Sequence, residues 1–273
     1  MLIVSDMHVG SAFAPFPEGF TLSTGSVLDL NVGQRYLLTC WQDMLGRAKF
    51  DYLIFNGDII DGQNKKLEAR YRVEVDPQWQ VSAALELARS LAQTATGIYV
   101  TKGTDYHVRE AAQDDESFGQ RIGAIPDPLG HHAWDWLLLD IEGVFLDIAH
   151  HRSSVLRYES MPLEREEQFD LLTADLKEGG ASDVIIRSHG HRYVVVNADG
   201  RLSVSTPAWC LQTSYAARSR WPNRWLSRLI GSVQLDIYPK LKTGDPRQDR
   251  GEFIEVKSLT YPHPKKGRRR VER

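Results

Sequence analysis

The chain has 273 residues, 42% of them hydrophobic and 25% charged, with a formal net charge of −3. That length allows one large α/β domain or two small ones, each with a real core, and no run approaches the ~20 apolar residues of a membrane span. Cys40 and Cys210 are too few for a disulfide framework and read as small buried hydrophobes of a reducing compartment. The amino terminus carries no basic region followed by an apolar stretch, so a cytoplasmic protein with no membrane partner is expected.

In chain order, short β-branched runs alternate with amphipathic stretches, the pattern of an α/β fold. A strand is expected over 2–5, then a helix over 34–48 with Tyr36, Leu37, Cys40, Trp41, Met44 and Leu45 on one face. A second strand follows over 52–56, and a second helix over 80–94 with Val81, Ala84, Leu85, Leu87, Ala88 and Leu91. Strands over 98–102 and 145–149 come next. A helix over 162–177 then carries Leu163, Phe169, Leu171, Leu172 and Leu176 and stops at Gly179-Gly180. Past a strand over 184–188, residues 193–196 and 202–205 read as a hairpin around Asn197-Ala198-Asp199-Gly200. A last strand covers 253–261. Without a Gly-, Pro- or Ser-rich linker or an internal repeat, one domain over 1–256 is expected. Its core is 1–210, its hairpin and aromatic/Arg-rich cap 211–256, and a basic tail fills 257–273.

Five of the apolar runs end on carboxylate or imidazole: Asp6-Met7-His8, Gly57-Asp58, Gly103-Thr104-Asp105-Tyr106-His107, His150-His151 and His189-Gly190-His191. Open α/β sheets place ligand sites beyond the carboxyl ends of their strands, so one site fed by much of the chain is expected. Asp6 and His8, two apart, project to the same side if the strand persists. Gly57 lets the backbone turn sharply at Asp58, whose two oxygens can bridge two cations. His189 and His191 can serve one ion each, and His150 completes the second. Imidazole mixed with carboxylate suits Mn, Fe or Zn better than Ca or Mg.

Taken in order, Asp6-x-His8, Gly57-Asp58-x-x-Asp61, a third strand-end motif, His150 and His189-Gly190-His191 resemble the calcineurin-like metallophosphoesterases, with spacings similar to the phage and prophage branch. The resemblance covers about residues 1–210. It implies a two-layer sandwich of mixed β-sheets flanked by helices, with a two-metal site where the loops converge. Mapped by motif, Asp6, His8 and His191 hold the first divalent ion, Asp58 bridges, and His150 and His189 hold the second; Mn is the first expectation, with Fe, Zn or Ni as alternatives. Asp61 orients a ligand or caps the following helix. The third motif departs from the family's Gly-Asn-His-Asp/Glu. Thr104 stands where Asn binds the second metal, Asp105 stands where His donates a proton, and His107 either binds the second metal or takes over proton donation.

The expected activity is hydrolysis of phosphate esters by a metal-bridging hydroxide. A phosphodiesterase acting on nucleic acid or nucleotides comes first; a small-molecule phosphomonoesterase and a non-catalytic interaction module are the alternatives. His151 either contacts substrate or has a structural role, and Arg152 either supports the ligands or falls near the substrate. The segment 215–228, with Arg220, Trp221 and Arg224, mixes rings and guanidiniums as nucleic-acid surfaces do, though an amphipathic helix packed on the body would give the same pattern. From Lys257 on there are seven basic residues and one acid, leaving 26 of the 33 basic and 35 of the 36 acidic residues in the body, a formal −9. Such a tail suits a phosphate backbone or is a solvated terminus. No nucleotide-binding Gly-x-x-x-x-Gly-Lys, serine-hydrolase elbow or His-Glu-x-x-His zinc motif occurs. His131 and His132 are expected to be packing or solvent groups.

Overall fold

A computed structural model of the chain describes residues 1–63, 71–105, 107, 113–151, 160–198, 200–211, 228–243 and 252–264. Ten strands form two mixed five-stranded sheets among the described residues. In the first, β1 (Leu2–Val4), β2 (Tyr52–Asn56) and β3 (Gly97–Thr101) run parallel. The antiparallel pair β9 (Leu229–Ile237) and β10 (Ile254–Pro262) extends this sheet on the β1 side. In the second, β5 (Val144–Ile148), β6 (Val184–Arg187) and β8 (Arg201–Ser205) run parallel. They are edged by β4 (Leu137–Ile141) and β7 (Val194–Ala198), both antiparallel. This is the sandwich of mixed sheets with flanking helices that the resemblance implies.

Both faces of the first sheet are buried at its parallel strands, which is why β1, β2 and β3 are continuously apolar rather than alternating. Leu2, Val4, Leu53, Phe55 and Val100 face α1 (Val32–Arg47) and α2 (Pro77–Thr94), meeting Leu37, Trp41, Met44, Val81, Leu87 and Leu91. Ile3, Ile54, Val233 and Leu235 point the other way and form the inter-sheet core with Leu146, Ile148, Val184, Ile186 and Val204. Each helix begins upstream of its apolar stripe because its cap lies there. Asn31 and Gln34 form a reciprocal capping box, and Asp76 accepts from Gln78 N at 2.8 Å ahead of Pro77.

Three elements carry no clear signal in the sequence. Helix α3 (Gln113–Ile122) is mostly polar and packs Phe118 edge-on against Phe55, with ring centroids 5.0 Å apart. Strands β4 and β9 are the others. Residues 229–237, grouped with the cap on sequence grounds, pair with β1. The basic count begun at Lys257 overlaps β10, where Lys257 pairs with Asp236. Residues 212–227 and 265–273, with Arg220, Trp221, Arg224 and most of the tail, lie outside the described residues, as does Arg152.

The fourth helix corrects an expectation. It runs only over Met161–Leu172 (α4), followed by a 3₁₀ turn at Ala174–Leu176, and past Leu163 the apolar stripe does not face the core. Phe169, Leu172 and Leu176 are 54%, 77% and 81% exposed, whereas Leu163, Glu167 and Asp170 are buried. The reason is the outer face of the second sheet, which offers charge rather than hydrocarbon. Ser203 donates to Glu167 at 2.6 Å, Arg187 pairs with Glu166 at 3.0 Å, and Asp170 accepts from Ser182 N at 2.8 Å and pairs with Lys177. A helix turns toward whatever partners its neighbour presents, and here those partners are ionic.

Candidate metal centre

Beyond the carboxyl ends of β1, β2, β3, β5 and β6 the loops converge on one cluster. Strand β1 stops at Val4, but the chain keeps beside the loop after β2: Asp6 N donates to Gly57 O at 3.1 Å, and His8 N donates to Asp58 O at 3.0 Å. The two side chains do not share a strand face, as persistence of β1 would have required. Instead Asp6 (φ 49°) and His8 (φ 48°) both take left-handed backbone. Asp58, His189 and His191 do the same at φ 49°, 63° and 52°, so five of the six non-glycine residues with positive φ among those described belong to this cluster. Each costs about 1 kcal/mol relative to ordinary backbone, and such strain gathers where a side chain must be aimed.

Two glycines admit close packing. A β-carbon on Gly57 would lie 2.4 Å from His150 Nδ1, and one on Gly103 would lie 2.4 Å from Asp58 N. Beneath them a polar relay ties the strand ends together. Asn56 donates to Ser188 Oγ (2.6 Å) and Ala149 O (3.1 Å) and accepts from Thr101 Oγ1 (2.6 Å). The Thr206 hydroxyl contacts both Ser188 and Ser5 at 2.7 Å. Asp115 on α3 accepts from Gly103 N at 2.8 Å and, by burial, is pushed up to about 7.

The cluster itself has two carboxylates and four imidazoles at its centre. His191 Nε2 is 3.2 Å from both His8 Nε2 and Asp6 Oδ1. Asp58 Oδ2 is 3.1 Å from His150 Nε2, 3.9 Å from His189 Nδ1 and 4.0 Å from His8 Nε2. Asp6, His8 and Asp58 form one group of convergent ligand atoms, and Asp58, His150 and His189 form another. The Asp58 Oδ1 atom is occupied: Thr104 donates both N–H (2.7 Å) and hydroxyl (3.0 Å) to it.

The donor set fits divalent cations. Asp6 Oδ1 and His150 Nε2 are buried and make no well-aligned hydrogen bond, facing only other members of the cluster, although buried polar atoms nearly always make one. His150 Nδ1 donates to Asn56 O at 2.7 Å, which turns Nε2 into the cluster, the orientation of metal-bound histidines. The electrostatics agree. Burial raises Asp6 and lowers His150, yet each is overruled: His191 and His150 bring Asp6 down to about 2, and Asp58 and Asp6 push His150 up to about 9. Burial opposes the charge on His191 as well, but Cys210, whose Sγ lies 3.5 Å from Nδ1, and Asp6 raise it. His8, which burial and the neighbouring His107 hold well below its usual value, is neutral.

The other expected residues divide. His107 sits beside His8, ring centroids 4.4 Å apart, with Nδ1 3.1 Å from Asp61 O. It groups with His8 and Asp61 and not with His150 and His189. Asp61 also lies 3.5 Å from Arg72. His151 is exposed, its ring 5.5 Å from His150 and 5.6 Å from His189. Asp105 is exposed. His131 pairs with Asp127 and His132 contacts Ala124 O, both in the α3–β4 loop. Asn56, Ser188 and Asp115 were not read as site residues, and Cys210 was read only as a small buried hydrophobe; of these only Asn56, a polar residue closing an apolar run, gives a signal in the sequence.

No protein-family model matches the chain, and no curated protein matches its sequence. Among solved structures, vacuolar protein sorting 29 from Cryptosporidium parvum is 12% identical with a TM-score of 0.44, over 96% of each chain. The phosphoesterase Yfce from E. coli is 11% identical at a TM-score of 0.40, over 78% of this chain and 81% of that one. An archaeal phosphodiesterase is 13% identical at 0.39, over 76% and 82%. Likeness at this level says nothing of what the chain binds or does.

Proposed function

We propose that the chain is a hydrolase of phosphate esters dependent on two divalent metal ions, Mn first, and most readily a phosphodiesterase acting on nucleic acid or nucleotides. The observation that carries this reading is the convergence of two buried carboxylates, Asp6 and Asp58, with the imidazoles of His8, His150, His189 and His191 on one cluster. Asp6, His8 and His191 would hold one ion, Asp58 would be shared, and His150 and His189 would hold the other. Bound cations at such a site supply Lewis acidity toward a phosphoryl group and a more acidic water.

The chain's own groups do the rest. Asp58 is pinned by Thr104, and His150 by Asn56 O, so neither reorients as charge develops. Hydrolysis adds water across a P–O bond, and the departing oxygen must gain a proton. His107 is the group set to carry it. Its Nδ1 donates a hydrogen bond to the Asp61 carbonyl at 3.1 Å, which holds the ring beside His8.

The test is activity on bis(p-nitrophenyl) phosphate after chelation and after return of Mn²⁺. Activity that falls with chelator and recovers with Mn²⁺ supports the reading; inactivity on mono- and diester panels with metal bound overturns it and leaves a metal-holding interaction module. A steep loss of nucleic-acid affinity with salt separates a backbone substrate from a small ester.

A further inference from the structure

Resting on the metal reading above, we propose that Cys210 joins His8 and His191 in a sulfur-bearing site that takes a thiophilic divalent cation, Zn²⁺ or Cd²⁺, in competition with Mn²⁺.

The ligand atoms of these three residues all lie within 4.8 Å of one another. Cys210 Sγ is 3.5 Å from His191 Nδ1. An ion bonded at about 2.3 Å to sulfur and about 2.0 Å to nitrogen would see that separation at about 110°, the tetrahedral angle of zinc. The thiol is held in place by its neighbours. Trp209 N donates to Asp6 O at 3.1 Å and Leu211 N donates to Phe13 O at 2.7 Å, so the main chain is tied on both sides. The Trp209 ring is fully buried, its Nε1 donating to Ser232 Oγ at 2.8 Å. Cys210 is buried too, but the His191 side chain is 30% exposed and gives an ion its way in. Cys40, by contrast, packs in the hydrophobic core at α1.

The two edges of one imidazole sort the cations. His191 turns Nε2 toward Asp6 Oδ1 and His8 Nε2, both at 3.2 Å, and Nδ1 toward the sulfur. A neutral imidazole offers a lone pair on one nitrogen only, so the ring serves one ion at a time. Carboxylate on the Nε2 side suits Mn²⁺, whereas thiolate on the Nδ1 side selects softer ions. Binding at sulfur releases the thiol proton to solvent, because the ligand is the thiolate. A soft cation held there takes His8 and His191 away from Mn²⁺.

The experiment titrates the metal-stripped full-length chain with Cd²⁺, reads sulfur-to-cadmium charge-transfer absorption in the ultraviolet, and repeats the titration with Mn²⁺ in excess. The band should saturate at one equivalent, and excess Mn²⁺ should suppress it. Cys210→Ser should abolish the band and weaken Cd²⁺ binding about ten-fold or more, while changing Mn²⁺ affinity less than about two-fold. Cys210→Ala repeats the test should serine disturb folding. Asp6→Asn should do the reverse, weakening Mn²⁺ and sparing the band. Cd²⁺ bound without the band, a band that survives in Cys210→Ser, or an equal loss of both cations in that variant each overturns the sulfur site and leaves the Mn²⁺ centre standing. Binding of neither cation overturns the metal reading and this inference with it.

Discussion

Gly57 and His150 are in contact across the two sheets, so closely that a methyl group on Gly57 would fall 2.4 Å from the imidazole Nδ1. Gly57 also holds φ at 72°, where a side chain is strained. Gly57→Ala should therefore cost about 2–4 kcal/mol, combining left-handed strain with overpacking. It should also weaken Mn²⁺ binding at the His150 side more than at the Asp6 side. Urea denaturation with metal titration checks both; a variant as stable as the parent would mean the ring moves aside freely.

Asn56 closes β2 and joins three strand ends through three hydrogen bonds. Asn56→Ala leaves Ser188 Oγ, Thr101 Oγ1 and Ala149 O each short of a buried partner. A loss of about 1–3 kcal/mol is expected, read from the denaturation midpoint with metal absent so that ligand binding does not mask it.

Asp147 on β5 is buried between Arg187 (2.7 Å) and Lys177 (2.9 Å), with Trp136 Nε1 donating at 2.7 Å. Burial would raise its carboxyl, but these partners outweigh burial and lower it. A carboxylate lowered by folding stabilises fully above its unfolded value of about 3.9, and that contribution is lost as pH falls through the lower folded value. Asp147→Asn should cost on the order of 3 kcal/mol at pH 7, since it leaves two buried cations facing Asp170 and Glu166 alone. The deficit should shrink below about pH 4. Unfolding midpoints at pH 7 and pH 3 decide it: an equal deficit at both would remove Asp147 from the acid transition.

Helix α4 supplies a contrast within one element. Leu172→Gln should change stability by under about 0.5 kcal/mol, because the side chain is 77% exposed. Leu163→Ala should cost about 2–5 kcal/mol, since that residue is fully buried. The opposite ranking would restore the apolar stripe as the buried face.

The residue types that end β1, β2, β5 and β6 were readable because carboxylate and imidazole seldom close apolar runs, and the structure draws those ends together. What could not be read was non-local. Nothing in Leu229–Ile237 says that it pairs with β1 rather than covering the site, for strand order depends on partners more than two hundred residues away. The face of α4 was misread because hydrocarbon spacing is visible in a sequence, whereas Asp170, Lys177 and Arg187 become a counter-surface only once folded. Thr104 was legible as a departure, but its two hydrogen bonds to Asp58 require coordinates.

The left-handed turns at Asp6, His8, Asp58, His189 and His191 carry one more implication. The same five side chains transplanted at matching spacing onto straight strands or helices would point elsewhere, so any design that borrows this centre must copy main-chain torsions before it copies residues. Those torsions also give directed mutagenesis an unusual handle. Glycine at one of these positions would relax the chain and delete the ligand together, while asparagine would exchange the ligand group yet keep the twist.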